Sequence, residues 1–150
     1  MHPAVREARE SDLERIRELI VDLATYERAA HEVKTTTEQL RAALFGAQPA
    51  AYALVAESHH EVVGFALYFR NFSTWEGVHG LYLEDLYVDR SARGSGAGRA
   101  LIEAVYGVAA NENLDEVYWL TQDFNHTARK LYDAVASLTP FVKYKHVLSR

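Results

Sequence analysis

The stretch Gly80–Gly98, GLYLEDLYVDRSARGSGAG, decides how this chain is read. Its first half is strand-like, with Leu81, Leu83, Leu86 and Val88 as the large aliphatic positions. The alternation slips between Leu83 and Leu86. A β-bulge absorbs such a slip while both apolar sets stay inward, and a strand buried partly on two sides is the other solution. The second half, Arg93-Gly94-Ser95-Gly96-Ala97-Gly98, alternates three glycines just before a helical period at Leu101, Ile102, Val105, Val108 and Ala109. Without side chains, backbone N–H groups can close on a ligand, and the following helix adds unpaired donors and a positive dipole end. Arg93 adds charge-assisted bonds to phosphate oxygens, with Arg90 and Arg99 as looser contributors. No Lys-Ser or Lys-Thr follows, so this is not a P-loop. It is also a poor dinucleotide fingerprint, which requires G-x-G-x-x-G after the first strand of a βαβ unit. From the residues alone, an anion seat and a plain flexible turn both stay open.

Outward from this stretch the periods change in order. Val5–Ala8 is a short strand, and Ser11 with Glu14 forms the S-x-x-E pattern of a capping box. Leu13, Ile16, Leu19, Ile20, Leu23 and Tyr26 then lie on one helical face. Thr35, Thr36 and Thr37 offer a second helix start, closed by Glu38 or Gln39, with Leu40 and Leu44 before Gly46. Tyr52, Leu54 and Ala56 alternate, His59-His60-Glu61 make a tight turn, and Val63, Phe65, Leu67 and Phe69 return as an antiparallel strand. Downstream, Val117–Leu120 is a compact strand, Asn125 caps a short helix carrying Ala128, Leu131 and Tyr132, and Phe141–Tyr144 is a final strand. The prediction is a mixed α/β layered domain, helices covering a central sheet.

Composition bounds the function. The 150 residues fit a single domain, 1–150, with its own core. There is no cysteine, which removes disulfides, thiolate nucleophiles and cysteine-built metal sites and fits a cytoplasmic location. Sixteen Lys and Arg against 21 Asp and Glu give a net charge of −5, and no basic patch of useful length offsets it, so nucleic acid is not an expected partner. A cationic small substrate suits that sign. No stretch approaches a membrane span, and the N-terminus lacks a signal-peptide core. His31, His59, His60 and His79 have no metal-ligand spacing, so no metal is expected.

Arg93, Gly96 and Gly98 resemble the acetyl-CoA-binding signature of the GNAT superfamily of N-acetyltransferases, and Asn125, Ala128 and Tyr132 resemble its N-x-x-A-x-x-x-Y element. The resemblance implies a GNAT-like fold, a mostly antiparallel central sheet flanked by helices. It further implies that Gly94, Ser95, Gly96, Ala97, Gly98 and Arg99, with Arg93, hold the pyrophosphate of acetyl-CoA. Leu86, Tyr87 and Val88 would line its thioester arm, and Asn125 and Lys130 would complete the cofactor site. Tyr132 is then the acid that protonates the departing thiolate, a task a phenol can perform.

Leu23–Glu27, Val63–Tyr68 and Leu81–Leu86 extend the resemblance to the spermidine/spermine acetyltransferase-like branch, whose members acetylate small primary amines, usually as homodimers. That branch implies Glu84 as the proton-accepting carboxylate, with Tyr26, Glu27, Trp75 and Glu76 around the amine. A regular strand would send Asp85 to the face opposite Glu84. Where the polyamine enzyme has a carboxylate two residues before its pocket tryptophan, this chain has Ser73, which argues against a long polyamine. A protein lysine or N-terminal acetyltransferase and a non-catalytic acetyl-CoA-binding module are the alternatives.

Overall fold

The computed structural model describes residues 3–75, 77 and 79–149. They fall into two compact units, residues 1–120 and 121–150. The first holds a five-stranded sheet in the order β1 (Ala4–Glu7), β2 (Tyr52–Ser58), β3 (Glu61–Phe72), β4 (His79–Val88), β5 (Val117–Tyr118). Every pairing is antiparallel except β4 with β5, which is parallel. The helices α1 (Leu13–Tyr26), α2 (Thr37–Phe45) and α3 (Ala97–Asn111) belong to this unit as well. The mixed α/β expectation, a mostly antiparallel sheet with flanking helices, therefore holds.

The apolar stripe of α1 (Leu13, Ile16, Leu19) and Leu40 and Leu44 of α2 pack on one face of the sheet, against Ala53, Val55, Phe65, Leu67 and Tyr87. On α3, Leu101, Ile102 and Val105 are fully buried against β2, β3 and β4. Gly64 on β3 permits the close approach of that helix: an added Cβ would stand 2.8 Å from the Tyr87 carbonyl oxygen and 3.3 Å from Leu101 Cδ1.

Local signals were met unevenly. Thr36 and Gln39 form the reciprocal cap of α2, the Thr36 hydroxyl accepting from the Gln39 N–H at 3.1 Å and the Gln39 side chain accepting from the Thr36 N–H at 3.0 Å. Ser11 does not cap α1. A short 3-10 turn, Glu10–Asp12, precedes that helix, and Asp12 rather than Ser11 is buried there, accepting a bidentate pair from Arg6 at 2.8 and 3.0 Å and the Arg9 N–H at 2.7 Å. The Arg6 guanidinium holds the Asp12 carboxyl below its ordinary range. A charge-assisted bidentate pair outcompetes a neutral hydroxyl for the entry to the helix.

The β2–β3 turn is strained. Ser58 pairs with Glu61, and the two residues between them, His59 and His60, have φ of 51° and 66°. Both central positions of such a turn demand the left-handed region, which favours Asn-Gly over two histidines. Replacing His59→Asn and His60→Gly together is expected to raise stability by about 1 kcal/mol. A urea midpoint that stays put or falls would refute the strain.

In the second unit, α4 (His126–Val135) is followed by residues 136–149 without regular structure. The strand expected at Phe141–Tyr144 is not formed: among the described residues nothing pairs with it, and Phe141, Val142 and Tyr144 are exposed. Its alternation defines a face but supplies no partner edge. The strand expected at Val117–Leu120 shortens to Val117–Tyr118. No helix among the described residues is long and apolar enough to cross a membrane.

Candidate active site

Between β4 and α3 the chain turns through residues 89–96. Gly94 and Gly96 have φ of 82° and 88°, conformations an L side chain adopts only with strain. A Cβ added at Gly94 would meet nothing within 4 Å, so the need for glycine is conformational and the outer face of the loop is open. Gly96 is the N-cap of α3 and has no side chain to bond the helix start. The first helical bond runs from the Ala100 N–H to the Gly96 carbonyl, which leaves the N–H groups of Ala97, Gly98 and Arg99 without an acceptor within the helix. These donors, a positive helix end and an open approach fit a diphosphate. Ser95 turns its hydroxyl back onto the Ala92 carbonyl, tightening the loop. Arg99 bonds Glu103 at 3.0 Å on the helix surface. With its side chain engaged there, Arg99 offers its backbone N–H to the helix start.

β4 meets β5 only at Leu81 with Val117 and Tyr82 with Tyr118. Beyond Tyr82 that edge of β4 has no paired strand among the described residues. Leu86, Tyr87 and Val88 lie on the unpaired part, which carries main-chain donors and acceptors toward the glycine loop.

The slip in the apolar alternation is a bulge. Leu83 pairs with Tyr68 and Asp85 with Leu67, leaving Glu84 as the extra residue. Cross-strand partners share a face, so Asp85, opposite Leu67, lies on the face that packs under α1, as does Tyr87 opposite Phe65. A regular strand would have turned Asp85 away from that face, and the bulge brings it there. Glu84 is exposed, whereas Asp85 is partly buried. Burial first, then the charges of Glu84 and Glu27, push the Asp85 carboxyl up to about 7. Glu27, the C-cap of α1, is also raised by burial. A carboxylate at a helix C-terminus is opposed by the dipole as well. No hydrogen-bond donor or cation among the described residues is paired with any of these three acids. They are not arranged as a metal-holding group.

The Arg93 guanidinium lies over two rings, 5.1 Å from the centroid of Tyr26 and 5.6 Å from that of Tyr87. Arg93 Nε donates to the Val88 carbonyl at 3.3 Å. Tyr26 thus meets the glycine loop through Arg93. Trp75, 89% exposed in the β3–β4 connection, presents its ring to solvent. Glu76 lies outside the described residues.

In the second unit Asn125 is the N-cap of α4, 6% exposed, yet its side-chain amide donates to Thr121 Oγ1 at 3.1 Å and makes no bond to the helix start. Tyr132 lies on the half-buried stripe of α4 with Ala128, Leu131 and Val135. Lys130 is exposed on the same helix. Two features escaped the sequence reading: Asp85, whose face depends on the bulge, and the Arg93 stack, which depends on where the end of α1 arrives.

The Acetyltransferase (GNAT) family profile matches residues 13–136. Among curated proteins, the thialysine N-epsilon-acetyltransferase of Bos taurus is 38% identical over 141 residues, covering 89% of this chain and 82% of that protein. That of Mus musculus is 40% identical over 136 residues, covering 85% and 79%. Among solved structures, an aminoglycoside acetyltransferase from an uncultured soil metagenomic sample superposes with a TM-score of 0.83 at 20% identity, covering 98% of this chain and 97% of that one, a likeness of fold alone.

Proposed function

The chain belongs to the GNAT acetyltransferase family, and from that premise we propose that this acetyl-CoA-dependent N-acetyltransferase acts on a primary amine of a small molecule of the thialysine, diamine or polyamine kind. Acetyl-CoA supplies the activated acetyl thioester when bound. The N–H groups of Gly94, Gly96, Ala97 and Gly98, with Arg93, hold its diphosphate, and the N-x-x-A-x-x-x-Y resemblance assigns Asn125 and Lys130 to the same cofactor. Main-chain donors at Leu86–Val88 orient the thioester carbonyl and stabilise charge that develops on its oxygen. Glu27 and Trp75 face the acceptor, whose ammonium is drawn by the carboxylates of β4.

The pair Glu84 and Asp85 takes the amine proton, Glu84 from the solvent side and Asp85 from the buried side, since adjacent carboxylates hold one proton more tightly than either would alone. Tyr132 gives a proton to the departing sulfur, an assignment that rests on the N-x-x-A-x-x-x-Y resemblance. Transfer is direct, in a ternary complex; a chain without cysteine lacks the easiest acyl-carrying nucleophile. We further propose a cytoplasmic homodimer, in keeping with the absence of cysteine and with the family branch.

One observation carries the acceptor assignment: three carboxylates, two of them partly buried, share the end of β4 and α1 with no paired cation among the described residues. Buried unpaired charge of one sign is costly and marks where a ligand of the other sign belongs. The test is steady-state CoA release with diamines, thialysine, aminoglycosides, amino acids and lysine peptides. Small primary amines are expected to exceed lysine peptides in kcat/KM by about tenfold or more, roughly 1.4 kcal/mol of transition-state binding. Peptides turned over better than every small amine would move the assignment to a protein acceptor.

A further inference from the structure

Arg93 presents an electrostatic puzzle. It stacks on Tyr87, two residues from Asp85, and on Tyr26, the neighbour of Glu27. A guanidinium whose stacking partners adjoin acids has ion pairing as its competing arrangement, because opposite charges in a partly dry site attract strongly. Among the described residues Arg93 pairs with none of them. Both rings lie within the roughly 6 Å over which an aromatic face attracts a cation. Tyr87 is 9% exposed and fixed in the core, and Tyr26 packs at the edge of the same core, so neither ring is free to swing away.

The hydrogen-bond inventory points the same way. Among the described residues, only Nε–H of the five guanidinium N–H donors is spent, on the Val88 carbonyl. The four on the terminal nitrogens meet no acceptor among those residues, and their planar fork matches paired phosphate oxygens. The next residue along the chain, Gly94, begins the open glycine loop.

We propose that Tyr26 and Tyr87 clamp the Arg93 guanidinium away from Glu27, Glu84 and Asp85 and hold it for the coenzyme's diphosphate, making Tyr26 a positioning residue for the cofactor. The proposal rests on Gly94–Gly98 being the diphosphate seat. Tyr26 then contributes to cofactor affinity from the end of α1, with no direct contact to the amine. Without its ring, Arg93 has one aromatic face instead of two and an open route to the carboxylates.

The test is calorimetric binding of coenzyme A to the full chain, in parallel with KM for acetyl-CoA and for the amine. Tyr26→Leu is expected to weaken coenzyme A binding about three- to tenfold and to raise the acetyl-CoA KM by the same factor. The amine KM should stay within about twofold of the parent. Tyr26→Phe and Tyr26→Trp keep the aromatic face and should retain coenzyme A affinity. In an Arg93→Ala background, Tyr26→Leu should cost almost nothing further, since the cation it serves is gone. Tyr26→Met, apolar and of similar reach but without a ring, carries the expectation of Tyr26→Leu should that variant fold poorly.

The proposal is overturned if Tyr26→Leu leaves coenzyme A affinity unchanged, if it raises the amine KM instead, if it costs as much without Arg93 as with it, or if Phe fails as badly as Leu. Failure of the underlying reading has its own signature: Gly96→Val would then leave coenzyme A affinity intact, and inorganic pyrophosphate would not compete.

Discussion

Tyr132→Phe is expected to lower kcat about 10²- to 10⁴-fold, the range for loss of a positioned general acid, while coenzyme A affinity stays near that of the parent. The choice of phenylalanine matters because Tyr132 shares the half-buried stripe of α4 with Ala128, Leu131 and Val135. A residue that merely packed there would tolerate Phe, which keeps the ring and drops only the hydroxyl. The fall in kcat therefore reports the proton and not the stripe. An unchanged thermal midpoint establishes that α4 is still seated, and an absent pre-steady-state burst of CoA establishes that chemistry limits turnover. Under those two controls, a Phe variant with the parent kcat would end the acid assignment. Tyr132→Leu adds the packing loss and should lower the midpoint as well.

The sequence carried the local half of this site, and tertiary approach decided the rest. The glycine spacing was readable because φ near +85° is a demand on single residues, and Gly94 and Gly96 meet it. The bulge was readable because a period-2 pattern that slips between Leu83 and Leu86 leaves one residue too many. What the slip could not tell was which side chain would be carried to which face: the opposite placing of Asp85 was conditional on a regular strand, and the bulge removes that condition. Ser11 failed as a cap because Arg6, five residues upstream, delivers a guanidinium to Asp12, a non-local choice that a four-residue motif does not encode. The alternating Phe141–Tyr144 failed for a related reason: an amphipathic strand is only half of a ladder. The Arg93 stack had no sequence signal at all, since Tyr26 and Tyr87 become neighbours only when α1 packs on β4.

Asp85→Asn is expected to lower kcat/KM for the amine about 10²- to 10⁴-fold and to lack the rising limb expected of the parent near pH 7. The limb follows from the environment. Burial, then the like charges of Glu84 and Glu27, raise the Asp85 carboxyl to about 7, and only its ionised form can accept the amine proton or hold the cation. Activity should therefore climb as pH rises through that value and level off above it. Glu84→Gln distinguishes the two carboxylates. It removes a like charge, so it should shift the limb to lower pH while retaining most of the rate. If Glu84→Gln erased the limb and Asp85→Asn kept it, the proton would go to Glu84.

Stability gives a reading independent of turnover. The folded pKa of Asp85 lies above its unfolded value of 3.8, so the folded chain holds an extra proton between those two values. The parent is thus most favoured below about pH 4 and loses that share of its stability as pH rises toward 7. Asparagine has nothing to ionise. The melting temperature of Asp85→Asn relative to the parent should climb between pH 4 and 7 and then stay level. Tyr82 is pushed up to about 12 by burial first and then by charges that include Glu84 and Asp85, and does not titrate in that window. A difference in melting temperature that is flat across pH would mean that Asp85 is not held in the unfavourable setting the bulge creates, and the proton-acceptor role would lose its basis.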